Sequence, residues 1–203
     1  MSSNTKIDAS QRPVEQHPLK PFLPEGCRLL MLGSFPPERR RWSMEFFYPN
    51  FNNDMWRIMG LIFHGDRDRF VVAGERRFDR TAVEAFCTER GIGLYDTACE
   101  VRRLAGNASD KFLEVVTPTD IGALLRTVPA CSAVAATGEK AAETFAAAVG
   151  CDAPAVGAAV EFGFEGRAMR FYRMPSSSRA YPLSVERKAA VYEGMLRAEG
   201  ILR

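Results

Sequence analysis

Arg28-Leu29-Leu30-Met31-Leu32-Gly33-Ser34-Phe35-Pro36-Pro37 decides how the chain is read. Its apolar run is short and unbroken rather than alternating, which suits a strand buried on both faces of a parallel sheet. Gly33 stops the run, and Pro36 and Pro37 stiffen the residues after it, so a tight polar loop sits directly behind a strand. In an open α/β sheet that edge is where ligands bind and where helix N-termini offer unpaired amides. Met174-Pro175-Ser176-Ser177-Ser178-Arg179 repeats the arrangement behind a later apolar run. The two loops together predict one active site.

Working outward, Met55, Trp56, Ile58, Met59, Ile62 and Phe63 recur at helical spacing and predict a helix from Asn53 to about Phe63. Asp79 to Arg90 reads as a second helix stopped at Gly91, followed by a strand from Ile92 to Tyr95 that Asp96 ends. A short helix from Asp120 precedes a small-residue strand, Ser132 to Ala136, and Thr137-Gly138 opens a helix over Glu139 to Val149. Val160 to Phe164 and Arg167 to Tyr172 flank Glu165-Gly166 as a hairpin, and Ser184 caps a last helix reaching Glu199. Repeated βα alternation predicts a three-layer α/β/α fold around a mostly parallel sheet. Residues 1–20, polar and carrying Pro13 and Pro18, read as a tail or surface strap, leaving 21–203 as a single domain.

A net charge of +2 neither demands nor excludes a polyanionic partner, so charge placement says more than the total. Glu38-Arg39-Arg40-Arg41, Arg76-Arg77, Arg102-Arg103 and Arg187-Lys188 fall at predicted loops or element ends, where a solvated surface serves as well as a nucleic-acid contact. The five cysteines are odd in number, widely spaced and without a Cys-x-x-Cys, so neither a disulfide framework nor a zinc site fits. Reduced thiols, no apolar stretch of membrane-spanning length and no signal-peptide core lead to the expectation of a cytoplasmic monomer without a membrane anchor.

Phe46-Phe47-Tyr48-Pro49-Asn50-Phe51 is too dense in aromatics for a loop whose side chains all enter the core. Phe46, Met55 and Trp56 are expected to plug the sheet edge, while Phe47 or Tyr48 is placed to stack on a flat heterocycle. The hydroxyls of Ser176, Ser177 and Ser178 suit phosphate oxygens. A nucleophilic serine fits poorly, because there is no Gly-x-Ser-x-Gly elbow and His17 and His64 lie in unpromising contexts.

The order of these features resembles the uracil-DNA glycosylase superfamily, nearest its mismatch-specific and hypoxanthine-DNA glycosylase-like branches. It comprises a strand ending in Gly33-x-x-Pro36, an aromatic after it, Asn53 three residues before a Trp that opens a helix, and Pro175-Ser-x-Ser after the last strand. The resemblance spans roughly residues 28–197. It implies a four-stranded parallel sheet between helices, DNA as partner, no metal or other cofactor, and hydrolysis of the N-glycosidic bond of a flipped-out base. Gly33, Ser34, Phe35 and Pro36 would border the base with Phe47 or Tyr48 stacking on it, and Ser176 to Ser178 would hold phosphate. Arg179 and Tyr181 would fill the gap left in the duplex. The chain departs from the family in three places: Ser34 or Phe35 stands where the first loop usually carries an Asp or Asn, Thr137 where a base-reading Asn is common, and Met174 where several members have His or Asn.

Glycosidic cleavage builds an oxocarbenium-like sugar and negative charge on the leaving base, so it needs hydrogen-bond donors for the base and a group that places water. The resemblance gives the essential role to Asn53, whose side chain could equally cap the following helix. Asp96, at a strand's end, is the second candidate for ordering water, with loop capping as its alternative. The function expected is a monofunctional DNA glycosylase acting on uracil, hypoxanthine or a similar lesion. A catalytically silent nucleic-acid-binding domain and a hydrolase of free nucleosides or nucleotides are the rivals.

Overall fold

The computed structural model describes residues 12–104 and 112–202. Along the chain lie strand β1 (Glu15–Gln16), strand β2 (Leu29–Gly33), helix α1 (Met55–His64), helix α2 (Arg80–Arg90) and strand β3 (Ile92–Asp96). Next come β4 (Ala98–Arg103), β5 (Leu113–Pro118), α3 (Ile121–Arg126), β6 (Ala133–Thr137), α4 (Glu139–Val149), β7 (Ala159–Phe164), β8 (Arg167–Met174) and α5 (Val185–Ala198).

Among the described residues the main sheet has five strands, in the order β3-β2-β6-β8-β7. Four of them run parallel, and β7 lies antiparallel on the edge against β8. The expected count of four is therefore corrected to five. Glu165 and Gly166, with φ of 47° and 79°, form a tight turn of the hand that folds β7 back onto β8, and the predicted hairpin joins the sheet with both arms. β2 is the inner strand that its apolar run implies: Leu29, Leu30 and Leu32 are fully buried, each contributing roughly 1.5–3 kcal/mol.

A second sheet, β1-β4-β5, has no counterpart in the sequence reading. Only Ala98, Val101 and Leu113 of β4 and β5 are buried, around Phe35, so the strands lack the apolar density that announces the main sheet. Its first strand belongs to the 1–20 segment: Glu15 pairs with Val101 and Gln16 with Glu100, which lays residues 15–17 across the domain. Residues 1–11 of that segment lie outside the described ones.

Helix ends obey the local chemistry. Ser184 accepts from the Arg187 amide, so the predicted cap holds, and Asp79, expected inside its helix, is instead the cap of α2 and accepts from the Ala82 amide. α1 begins two residues later than expected, at Met55, because Asn53 Oδ1 takes the Met55 amide at 2.9 Å. Asp54, at the cap position, makes no side-chain cap bond. Its carboxylate turns to Lys188 on α5 instead, 2.9 Å away and completely buried. The solvated-surface reading of Arg187-Lys188 is thus overturned for Lys188, which lies on the buried stripe of α5 with Val185, Ala189 and Tyr192.

Candidate active site

The parallel strands end together: Gly33 of β2 is in register with Asp96 of β3, and Thr137 of β6 with Met174 of β8. Beyond these ends lies an open cleft. It is lined by Gly33, Ser34, Phe35 and Pro36 of the first loop, Phe47 and Tyr48 of the aromatic loop, Asn53, Asp96 and Thr137, and Ser176, Ser177 and Ser178 of the last loop. Segments far apart in sequence thus converge on the edge that the two loops predict. Arg179 and Tyr181 do not line the cleft; the Arg179 guanidinium is turned to Asp54 at 3.5 Å and Asn52 at 3.3 Å.

Asp96 is the charged centre of the cleft and is buried. Oδ2 lies 2.8 Å from His17 Nε2. Oδ1 lies over Gly33, where a Cβ would come within 2.2 Å of it. Glycine at the end of β2 is therefore a spatial requirement of the carboxylate beside it. The expectation that Asp96 caps a loop is not met by its side chain; its backbone carbonyl accepts from the Thr119 hydroxyl at 2.7 Å. The low promise of His17 is corrected too, since the strap carries it to the site, edge-on to Phe35.

The aromatic loop is fixed from below. Trp56 Nε1 donates to the Phe47 carbonyl at 3.1 Å, and Ser43 donates to the Pro49 carbonyl through both its amide and its hydroxyl. Between these anchors Tyr48 adopts φ of 49°, a left-handed backbone uncommon outside glycine and characteristic of constrained sites. Its hydroxyl meets Thr137 Oγ1 at 3.1 Å, and Thr137 donates to the Leu32 carbonyl at 3.2 Å. Burial pushes the Tyr48 phenol well above its ordinary range, so it stays a neutral donor. Thr137 spends its hydroxyl on this chain of bonds, and Phe46, Met55 and Trp56 are core residues, as expected.

Asn53 stands where the aromatic loop meets the last loop, bridging to Ser178. With Oδ1 committed to the Met55 amide, its side chain satisfies the first amide of α1 from one residue ahead of the cap position, close to the capping anticipated as an alternative, and keeps an NH₂ donor. The serine loop is drawn against α1: the Asp54 amide donates to the Ser177 carbonyl, and Lys188 Nζ donates to the Ser178 carbonyl and to Asp54. Ser176 Oγ accepts from the Ser178 amide and Ser178 Oγ from the Ala180 amide, a self-bonded turn in which both hydroxyl hydrogens stay available.

Arg103 completes the cleft from the second sheet. Its guanidinium donates to the Pro36 carbonyl at 2.7 Å and to Glu15 at 3.0 and 3.1 Å, tying the first loop to the strap. Three residues of the site thus escape the sequence reading: His17, Arg103 and Lys188. Lys188 had a signal, an ammonium on the apolar stripe of an amphipathic helix, whereas His17 and Arg103 had none in their spacing. No group of three or more His, Cys, Asp and Glu among the described residues is arranged to hold a metal ion, and no helix there is long and apolar enough to cross a membrane.

No family model matches the sequence, and no curated protein does. Among solved structures, the chain is similar in fold to a protein from Methanosarcina acetivorans, determined by solution NMR and provisionally described as a uracil DNA glycosylase. Identity is 20%, the TM-score 0.62, and the match covers 93% of this chain and 99% of the other. The two proteins share an architecture over almost their whole length.

Proposed function

We propose that the chain is a DNA glycosylase that hydrolyses the N-glycosidic bond of a deaminated or mismatched base, such as uracil or hypoxanthine, flipped out of DNA. One observation carries this reading: the Asp96 carboxylate lies over Gly33. The acid missing from the first loop is supplied by the neighbouring strand at the same edge. The fold shared with the M. acetivorans protein supports the same class of reaction.

In this reading the flipped base enters against Tyr48 and Phe47, and Asp96 Oδ1 orients water toward C1′. The N–C1′ bond breaks with its electron pair leaving on the base, water adds to the oxocarbenium-like carbon, and the water proton passes to the carboxylate. The base anion is met by the Asn53 NH₂, as in the hypoxanthine-type branch that the sequence resembles, and by first-loop amides. Ser176 and Ser178 grip a flanking phosphate, with Arg179 and Tyr181 beyond them toward the duplex.

The test is single-turnover base release from duplexes carrying uracil, thymine, hypoxanthine or xanthine, from matching single strands and from free nucleosides, with and without chelator. Release from at least one lesion in DNA, indifferent to chelator, is expected. No release at enzyme excess would leave a nucleic-acid-binding domain, and release from nucleosides alone a nucleoside hydrolase.

A further inference from the structure

We propose that His17, carried on the strap ahead of β2, is the positioning residue for the water-orienting carboxylate of Asp96; the proposal rests on the glycosylase reading above. Nε2 is 2.8 Å from Asp96 Oδ2, with the two side chains only 3% and 10% exposed, so water competes little for either group. Nδ1 faces two atoms of Leu19, the amide at 3.2 Å and the carbonyl at 2.8 Å. When Nδ1 accepts from the amide, the ring hydrogen is on Nε2 and is donated to Asp96. A ring with hydrogen on Nδ1 alone would set a bare Nε2 against the carboxylate, whereas a ring with hydrogen on both nitrogens donates from Nδ1 to the carbonyl and from Nε2 to Asp96. Either form that carries hydrogen on Nε2 holds Oδ2 by the same donor.

The ring is itself immobilised. The His17 amide donates to the Cys99 carbonyl at 2.8 Å, continuing the pairing of β1 with β4. Phe35, Phe47 and Tyr95 enclose the imidazole at centroid distances of 5.2, 6.3 and 4.7 Å. A carboxylate has two free torsions, and pinning Oδ2 fixes where Oδ1 points. Among the described residues Oδ1 has no hydrogen-bond partner, which leaves it for water over Gly33. Catalysis tolerates little looseness in such a group, so its support is as decisive as its presence.

Three variants of the full chain separate the bond from the packing. His17→Phe keeps a ring without the donor, His17→Gln keeps a nitrogen donor, and His17→Ala loses both. Single-turnover excision from the preferred lesion should fall about 10²-fold for Phe and Ala, with lesion-duplex affinity unchanged, while Gln recovers most of the loss. A Phe variant as fast as wild type, or a Gln variant as slow as Phe, overturns the proposal. The imidazole Nε2–H resonance of His17 should appear by NMR and move in Asp96→Ala; a resonance indifferent to that change also overturns it. A wild-type chain that releases no base overturns the glycosylase reading instead, and the resonance still decides whether His17 holds Asp96.

Discussion

Gly33→Ala adds a single methyl group at the most crowded point of the cleft. Gly33 is not among the residues with positive φ, so alanine meets no backbone strain there and the effect is confined to what the new Cβ touches. That Cβ would lie 2.2 Å from Asp96 Oδ1, well inside carbon–oxygen contact distance. The carboxylate must retreat by about 1 Å, and a displacement of that size at a reacting group costs about 10²-fold in rate. The retreat also strains the bond to His17, and losing a hydrogen bond to a charged group costs roughly 1.5–3 kcal/mol. Single-turnover excision and denaturant unfolding, measured on the same preparation, give both numbers. An alanine variant that excises at the wild-type rate would refute the placement of Asp96 at the reacting centre, however much stability it lost.

Asn53→Ala removes the bond to the Met55 amide and the remaining NH₂ donor; a loss of about 1 kcal/mol in stability is expected from the first, and a rate loss of at least about 10²-fold from the second. Full activity with a lowered melting temperature would reduce Asn53 to a cap. Lys188→Met leaves the Asp54 carboxylate buried without its ammonium and should cost about 3–5 kcal/mol in urea unfolding; a change below about 1 kcal/mol, the size of a surface pair, would contradict the buried geometry. Replacing Arg179 and Tyr181 together by alanine should slow excision from duplex more than from single strands, since only a duplex leaves a gap to fill. Equal slowing on both substrates would remove the wedge and leave the serine loop as a phosphate grip.

How much the sequence conveys depends on how local each cause is. The strand-loop junctions at Gly33 and Pro175, the cap at Ser184 and the turn at Glu165-Gly166 are set by residues adjacent in the chain, and their chemistry is written where it acts. The mixed α/β architecture with its mostly parallel sheet is legible in the βα alternation, but counting strands fails because β7 joins as an antiparallel edge. The second sheet escapes for want of apolar residues, since β4 and β5 bury little beyond Ala98, Val101 and Leu113. Within the cleft, most lining residues are readable because they sit on the two loops. His17 is not, because its meaning lies in a carboxylate 79 residues away, reached through strap pairing that its own neighbours do not encode. Asn53 is readable as a site residue, but only the geometry divides it into a committed carbonyl and an available donor.

The buried contact between Asp54 and Lys188 gives the cleft one jaw that does not yield. Asn53 and the serine loop, more than a hundred residues apart in sequence, are fastened to the same two helices by an ion pair sealed from water. A bulky ligand cannot widen this side without disturbing that pair, and leaving one partner of such a pair buried alone costs about 3–5 kcal/mol. If the proposed glycosylase reaction holds, rejection of oversized bases would come from the stiffness of the frame, and a base small enough to enter would be selected before any of its edges is read.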